Sequence, residues 1–260
     1  MTGLAVSDRV VAKPVRAFGG FYALALDTFI QILRPPFAGR EFIMQTWFLA
    51  RVSLLPAILL AIPFTTFVVF IVNILLMEIG AADLSGTTAA AVTVAQIGPI
   101  VDVLVVAGAG ATAICADLGA RTIREELDAM RVMGIDPVQA LVVPRVLAGA
   151  LVAMMLYGLV ALTGLIGSYV YCVYFQDVTP GAFVANLTVL MGLSDVVVGI
   201  IKSLLFGTAA SLIACYKGTN VGGGPAGVGN AVNETVIYAF MALFAINVVI
   251  TQIANQVLPS

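Results

Sequence analysis

VSLLPAILLAIPFTTFVVFIVNILLM, residues Val52 to Met77, contains no charged side chain. A helix needs about 20 mostly apolar residues to cross the hydrocarbon of a bilayer, and this run exceeds that. Further runs follow. Asp102 alone interrupts Leu84 to Ala116, nothing charged interrupts Val146 to Gln176, Asp195 and Lys202 interrupt Val178 to Tyr216, and no charge follows Thr235. These stretches read as five membrane spans, at about 52–77, 92–116, 141–172, 187–216 and 233–257. The expected fold is an all-α integral membrane protein with one domain over 1–260.

Composition agrees. Hydrophobic residues make up 61% of the chain and charged residues 10%, against about 25% charged in soluble domains. So few charges cannot cover a soluble surface. The net charge of -2 comes with no basic tail, which argues against nucleic acid as a partner. There is no histidine, which removes Ser-His-Asp and Cys-His catalysis and histidine metal sites. Cys115, Cys172 and Cys215 form no C-x-x-C pair and read as small core residues. No catalytic residue and no metal site are expected.

Upstream of the first span, Met1 to Gly20 lacks the long apolar segment of a cleaved signal peptide. Residues 1–17 read as a cytoplasmic tail. Over 18–33, Phe18, Phe21, Tyr22, Ala25, Phe29 and Leu33 recur at helical spacing before Arg34-Pro35-Pro36 stops the helix. Sixteen residues are short for a span, so this helix is expected to lie in the membrane interface. The positive-inside rule sets orientation. Arg9, Lys13, Arg16, Arg34, Arg40 and Arg51 precede the first span, while Glu78 and Asp83 follow it without a basic residue. Arg121, Arg124, Arg131 and Arg145 lie between spans two and three, only Asp177 between three and four, and Lys217 between four and five. The alternation places the N-terminus in the cytoplasm and the C-terminus outside. Prolines 56, 63, 99 and 144 would kink their spans, and Gly108-Ala109-Gly110-Ala111 would allow helices to approach closely.

Asp117 to Arg145 holds nine charges. At about 100° per residue, Ile123, Leu127, Met130 and Gly134 share a face. Arg124, Asp128 and Arg131 lie beside it, with Arg124 and Asp128 at i,i+4, and Glu125 points further round. Gly134 can end this helix in the left-handed conformation. Asp136 can cap the next one, with Pro137 at its first position. Residues 118–134 therefore read as a short amphipathic helix: a docking helix for a cytoplasmic partner, or a surface helix lying on its own bundle. The string Gly222-x-Gly224-x-x-Gly227 follows no strand and contains Pro225, so it reads as a turn, not a dinucleotide site. No G-x-x-x-x-G-K-[ST] string occurs, so this chain is not expected to hydrolyse ATP. Asn186-Leu187-Thr188 and Asn233-Glu234-Thr235 fit the glycosylation pattern but abut spans and are discounted.

Gln96-Ile97-Gly98-Pro99 through Ala116-Asp117-Leu118-Gly119, followed by EELDAMRVMGIDPVQALVVPR (Glu125 to Arg145), resembles the signature of the MlaE/YrbE permease family. Arg40, Gln45 and Ser53 to Pro56 resemble its N-terminal pattern, and CYKGTNVGGGPAGVGNAV (Cys215 to Val232) its last cytoplasmic loop. The resemblance covers roughly residues 35–255 and is nearest to the YrbE proteins of actinobacterial Mce operons. It implies the membrane subunit of an ATP-binding-cassette lipid transporter in the inner (plasma) membrane. Implied partners are a second YrbE-type permease, a cytoplasmic ATPase dimer that binds ATP and magnesium, and extracytoplasmic Mce proteins that carry the lipid. This chain would hold no cofactor. Import of fatty acids or sterols is the implied activity. Where the family often has an arginine, this chain has Ala109, and near Asn230 it lacks a common basic residue. Both departures suggest an asymmetric role in a heterodimer.

With that resemblance, 118–134 becomes the coupling helix, with Ile123, Arg124, Glu125, Glu126, Leu127, Asp128, Met130 and Arg131 as ATPase-docking residues. The expected lipid path lies between two permease subunits, lined by Leu59, Phe64, Thr66, Phe67, Phe70 and Asn73 of span one and by the outer part of span five. Alternatively those aromatics simply face bilayer lipid. Asp102 and Lys202 are intramembrane charges and therefore candidates for a proton relay or a headgroup contact. They could equally form an interhelical pair or lie near the membrane surface, and Asp195 is expected near the outer interface. The rival functions are an ion-coupled secondary transporter, which should show more intramembrane carboxylates and paired repeats, and a non-transporting scaffold.

Overall fold

A computed structural model describes residues 4–35, 38–81, 84–176, 178–187 and 192–257. Asp83, Asp177 and Thr188 lie outside the described residues, as do the first part of the expected fourth span and the last three residues. The described chain contains helices only. These are α1 (Leu4–Ile32), α2 (Gly39–Glu78), α3 (Ser85–Ala91), α4 (Gly98–Val105), α5 (Ala111–Ile123), α6 (Glu126–Val132), α7 (Val143–Phe175), α8 (Pro180–Asn186), α9 (Leu193–Thr219) and α10 (Gly224–Val257). Five stretches are long and apolar enough to cross a membrane: Gly39–Glu78, Ser85–Ile123, Val138–Phe175, Leu193–Thr219 and Gly224–Val257. α2 has 40 residues, about 60 Å at 1.5 Å per residue, against a hydrocarbon layer of about 30 Å. Its first turns therefore project beyond the bundle's apolar zone.

Contacts between helices fix their directions. Along α2 and α7, Glu41 meets Arg145, Phe70 meets Tyr171 and Asn73 meets Cys172, so these helices run parallel. α9 runs against α7, because Gly207 abuts Ala150 and Gly199 abuts Tyr157. α10 runs against α9, pairing Lys217 with Glu234 and Lys202 with Thr251. The five spans thus alternate, and α10 finishes at the end of the bundle opposite the one where α2 begins.

Small residues make this packing possible. In lipid, helices associate through close van der Waals contact, not through exclusion of water. The buried positions of α2 are Gln45, Leu49, Ser53, Ala57, Ala61, Thr65, Val69 and Asn73, every fourth residue. Each step of four advances about 40° beyond a full turn, so the stripe winds round α2 and is shared between α7 and the second span. A Cβ on Gly164 would lie 2.7 Å from the methyls of both Thr65 and Thr93. A Cβ on Gly207 would lie 2.7 Å from Ala150 Cα and overlap the Gly149 carbonyl. The close approach expected at Gly108 is absent: nothing comes within 4 Å of a Cβ there.

Three π turns interrupt the spans, at Val92–Ile97, Val106–Gly110 and Val138–Val142. The first and third immediately precede Pro99 and Pro144. A helical proline clashes with the carbonyl four residues back, here Ala95 and Ala140, and a wider turn relieves that clash. Pro56 and Pro63 sit inside α2 without breaking it. At the bundle end opposite Arg145, α8 folds back over α3, and Phe183 joins Val69, Ala89 and Cys172 in a small second core.

α1 is longer than the expected 18–33 helix and takes up most of the expected tail. It crosses the charged end of the bundle. Gln31 Nε2 donates to Asp136 Oδ2 at 2.7 Å, and Gln139 Nε2 donates to the Arg34 carbonyl at 3.3 Å. Its apolar residues divide between two sides. Phe21, Leu24 and Ala25 pack on the core, while Phe18, Tyr22, Leu26 and Leu33 stand exposed.

Replacing Gly207 by Ala should destabilise the fold by about 1–3 kcal/mol, the usual effect of overpacking, because backbone lies on the far side of the contact. Gly108→Ala should be neutral. Thermal unfolding of the two variants in one detergent checks the contrast, and equal midpoints would contradict the packing described.

Candidate functional site

The charged segment after the second span is built differently from a single 118–134 helix. α5 carries the span straight through to Ile123. The chain then breaks at Glu125, whose φ of 60° is left-handed. Non-glycine residues avoid that region because Cβ crowds the next carbonyl, at roughly 1–2 kcal/mol. α6 follows, with seven residues, and Gly134 ends it at φ 77° as expected. Asp136 caps the next turn by accepting the Val138 amide at 2.9 Å.

This geometry divides the expected docking set by exposure. Leu127 is buried in the bundle's own core and Met130 packs against it, so the apolar stripe largely faces inward. Ile123 is 37% exposed. What faces outward is polar: Arg124, Glu125, Asp128 and Arg131, with Glu126 half-buried. The tip adds Val132 and Met133, both exposed and absent from the sequence-derived set. The i,i+4 pairing of Arg124 with Asp128 does not form, because the break at Glu125 shifts the register. Arg124 Nε instead meets Glu126 at 2.9 Å, and Asp128 pairs with Arg131 at 2.8 Å.

Behind α6 lies a network that the motifs did not announce. Arg145, one residue past Pro144 on α7, has no solvent exposure. Its Nη2 lies 2.5 Å from Asp117 on α5 and 3.4 Å from Glu41 on α2, and its Nη1 donates to the Leu141 carbonyl at 2.8 Å. Asp117 also meets Arg121 at 3.4 Å, Arg121 reaches Glu126 at 3.9 Å, and Glu126 holds Arg124. Gln45 Nε2 donates to Glu41 at 2.9 Å. Three guanidiniums thus alternate with three carboxylates across α2, α5, α6 and α7. The signal was an arginine inside the apolar run Val142-Val143-Pro144-Arg145-Val146, with Glu41 one helix away in space but 104 positions away in sequence.

The span-one set divides. Leu59, Phe64, Phe67 and Phe70 stand on the outer face of α2. Thr66 lies against α7, its Oγ1 3.3 Å from where a Gly167 Cβ would be. Asn73 is buried, with its amide donating to Gln176 and to Cys172. It closes the α2–α7 seam, and the four-residue stripe explains why it turns inward. Asp102 and Lys202 do not pair with each other. Lys202 donates to Thr251 Oγ1 at 2.8 Å, and both Asp102 carboxylate oxygens are buried without a hydrogen-bond partner among the described residues.

A family model described as Permease MlaE matches residues 42–253. A probable ABC transporter permease protein of Rickettsia conorii is 29% identical over 257 residues, 97% of each chain. One from Synechocystis is 32% identical over 152 residues, 58% of each chain. The intermembrane phospholipid transport system permease protein MlaE of Haemophilus influenzae is 26% identical over 181 residues, 69% of each chain.

Arg145→Met would leave the partly exposed Asp117 carboxylate without its closest cation, with only Arg121 still beside it, and should cost about 1–3 kcal/mol. Arg131→Gln, at an exposed pair, should change stability by less than about 1 kcal/mol. Adding Asp117→Asn to Arg145→Met should recover part of the loss. Unfolding midpoints in detergent measure all three variants, and a harmless Arg145→Met would refute a structural role for the network.

Proposed function

The chain belongs to the MlaE permease family, a family of ABC transporter membrane subunits, and on that premise we propose that it moves lipid through a gap between two permease subunits, driven by a separate ATPase. The observation that carries this reading is α6. It is a seven-residue helix held out on a strained left-handed residue, with charged and apolar side chains exposed at its tip. The Arg145 network joins it to three membrane helices, α2, α5 and α7. Such a part has little use in a chain that works alone.

In this reading the Arg145 end faces the cytoplasm. Arg34, Arg40, Arg121, Arg124, Arg131 and Lys217 gather there, whereas Glu78 and Asp195 lie at the other end. α6 then seats in the ATPase, whose own site binds ATP and magnesium. ATPase closure would push on α6, and the network would pass that push to α2 and α7. The outer faces of α2 and α10 are strongly apolar and exposed, with Leu59, Phe64, Phe67, Tyr238, Met241 and Phe244 among them. They fit a wall shared with a second, YrbE-type permease in a heterodimer. An acyl chain follows such a wall because each CH₂ removed from water is worth roughly 0.8 kcal/mol. Mce proteins on the outer side would deliver fatty acids or sterols for import. One observation favours ion coupling instead: Asp102, a buried carboxyl that pairs with no cation among the described residues. Proteoliposomes separate the two readings, because ATP alone should drive lipid movement without an ion gradient.

Two results test this. Glu125→Lys with Asp128→Lys should lower co-purification of the ATPase roughly tenfold, as expected when exposed charges at an interface are reversed. Glu125→Gly keeps the left-handed backbone without strain and should lower it only if the carboxylate itself docks. Undiminished association in the double variant would exclude α6 as the docking element. Separately, a reporter fused to the C-terminus should be active only outside the cytoplasm, and cytoplasmic activity would refute the five-crossing orientation.

A further inference from the structure

At the charged end of the bundle, α1 does not close fully onto the helices beside it. A cavity of about 850 Å³ separates it from α5, α6, the π turn at Val138–Val142 and the end of α9. That volume is within the usual range of small-molecule sites, about 300–1,000 Å³. Leu24 and Leu141 contribute to an apolar wall, and Arg16, Arg131, Asp27 and Tyr216 contribute polar groups. The lining brings two guanidiniums against one carboxylate, with Arg131 also paired to Asp128 at 2.8 Å just outside it. Arg16 is exposed and takes part in no ion pair among the described side chains. The outer side of α1 presents Phe18, Tyr22, Leu26 and Leu33 to the surroundings, the pattern of a helix lying at headgroup depth. The cavity therefore opens where phosphate and glycerol meet acyl chain.

We propose that this cavity holds one anionic glycerophospholipid of the adjacent leaflet. Its phosphate is bound by Arg16 and Arg131, and the upper part of one acyl chain lies along the Leu24–Leu141 wall. Basic pockets beside membrane helices recognise anionic headgroups on this principle. The lipid is a resident, distinct from the cargo path on the outer faces of α2 and α10. Leu127 of α6 also lines the cavity, so the bound lipid would brace α6 through Leu127 as well as through Arg131. The assignment of the leaflet as cytoplasmic rests on the orientation proposed above; the binding itself does not.

The test uses the full-length chain, purified and stripped of lipid. Mixed micelles offer it phosphatidylglycerol or phosphatidylcholine, and bound lipid is counted by native mass spectrometry. No ATPase or transport is involved, so failure here leaves the transport reading untouched. Wild type should retain phosphatidylglycerol roughly tenfold better than phosphatidylcholine, on the scale of a charge-assisted contact to phosphate. Arg16→Gln should remove most of that preference without shifting the unfolding midpoint. Gly19→Phe should reduce binding of both lipids, because Gly19 borders the cavity and nothing lies within 4 Å of its Cβ direction. Equal retention of the two lipids by wild type, or an unchanged preference in Arg16→Gln, would overturn the proposal. So would full displacement of phosphatidylglycerol by millimolar inorganic phosphate, which would reveal a site for the free anion.

Discussion

A guanidinium with no access to solvent sets the terms for the charged end of this bundle. Moving Arg145 out of water is very unfavourable unless its charge and its N–H groups are met where they stand. Asp117 and Glu41 meet the charge and the Leu141 carbonyl takes a further N–H, while Nε has no partner among the described residues. Those carboxylates come from two other helices, so α2, α5 and α7 can be placed only in the arrangement that brings them together. Arg121, Glu126 and Arg124 then extend the alternation of charge to α6. A segment that would otherwise be a solvated connector is tied to the membrane helices by opposite charges in sequence.

Away from that end the bundle relies on shape. The seams are lined by Gly149, Gly164, Gly199 and Gly207, and a methyl group there would overlap a Ser, Thr or Tyr side chain at the first three and the backbone of α7 at Gly207. Tight contact along α7 leaves α2 and α10 at the periphery, with their large apolar side chains outside. A single chain thus has a rigid middle and two greasy flanks.

The parts of this architecture visible in the sequence were those with a local signal. Uncharged runs such as Val52 to Met77 report crossings because every residue in them obeys the same solvent. Gly134 and Asp136 report their turns because each has a backbone role that few residues fill. The single helical face that a period of 3.6 gives over 118–134 is split, because the left-handed residue at Glu125 breaks the helix and Leu127 turns into the bundle. No side-chain pattern announces a non-glycine residue in that conformation. Asn73 and Thr66 read in the sequence as lining of a lipid path, and in the fold they lie in the α2–α7 seam. Polar residues in a span satisfy a neighbour or a ligand equally well, and only the spatial partner decides. Glu41 was invisible for the same reason: its role depends on Arg145, which folding alone brings near.

If Arg145 couples α6 to the membrane helices, the two must move together. The native cysteines are buried among the described residues, so spin labels can be placed selectively at Asp128→Cys on α6 and Met44→Cys near the start of α2. Double electron–electron resonance on the assembled transporter, with and without nucleotide, reports their separation. The account predicts one sharp distance distribution that keeps its position through the nucleotide cycle and broadens only when Arg145 is replaced by Met. A distance that changes with nucleotide while Arg145 is intact would contradict it, because α6 would then move independently of the helices it is held to drive.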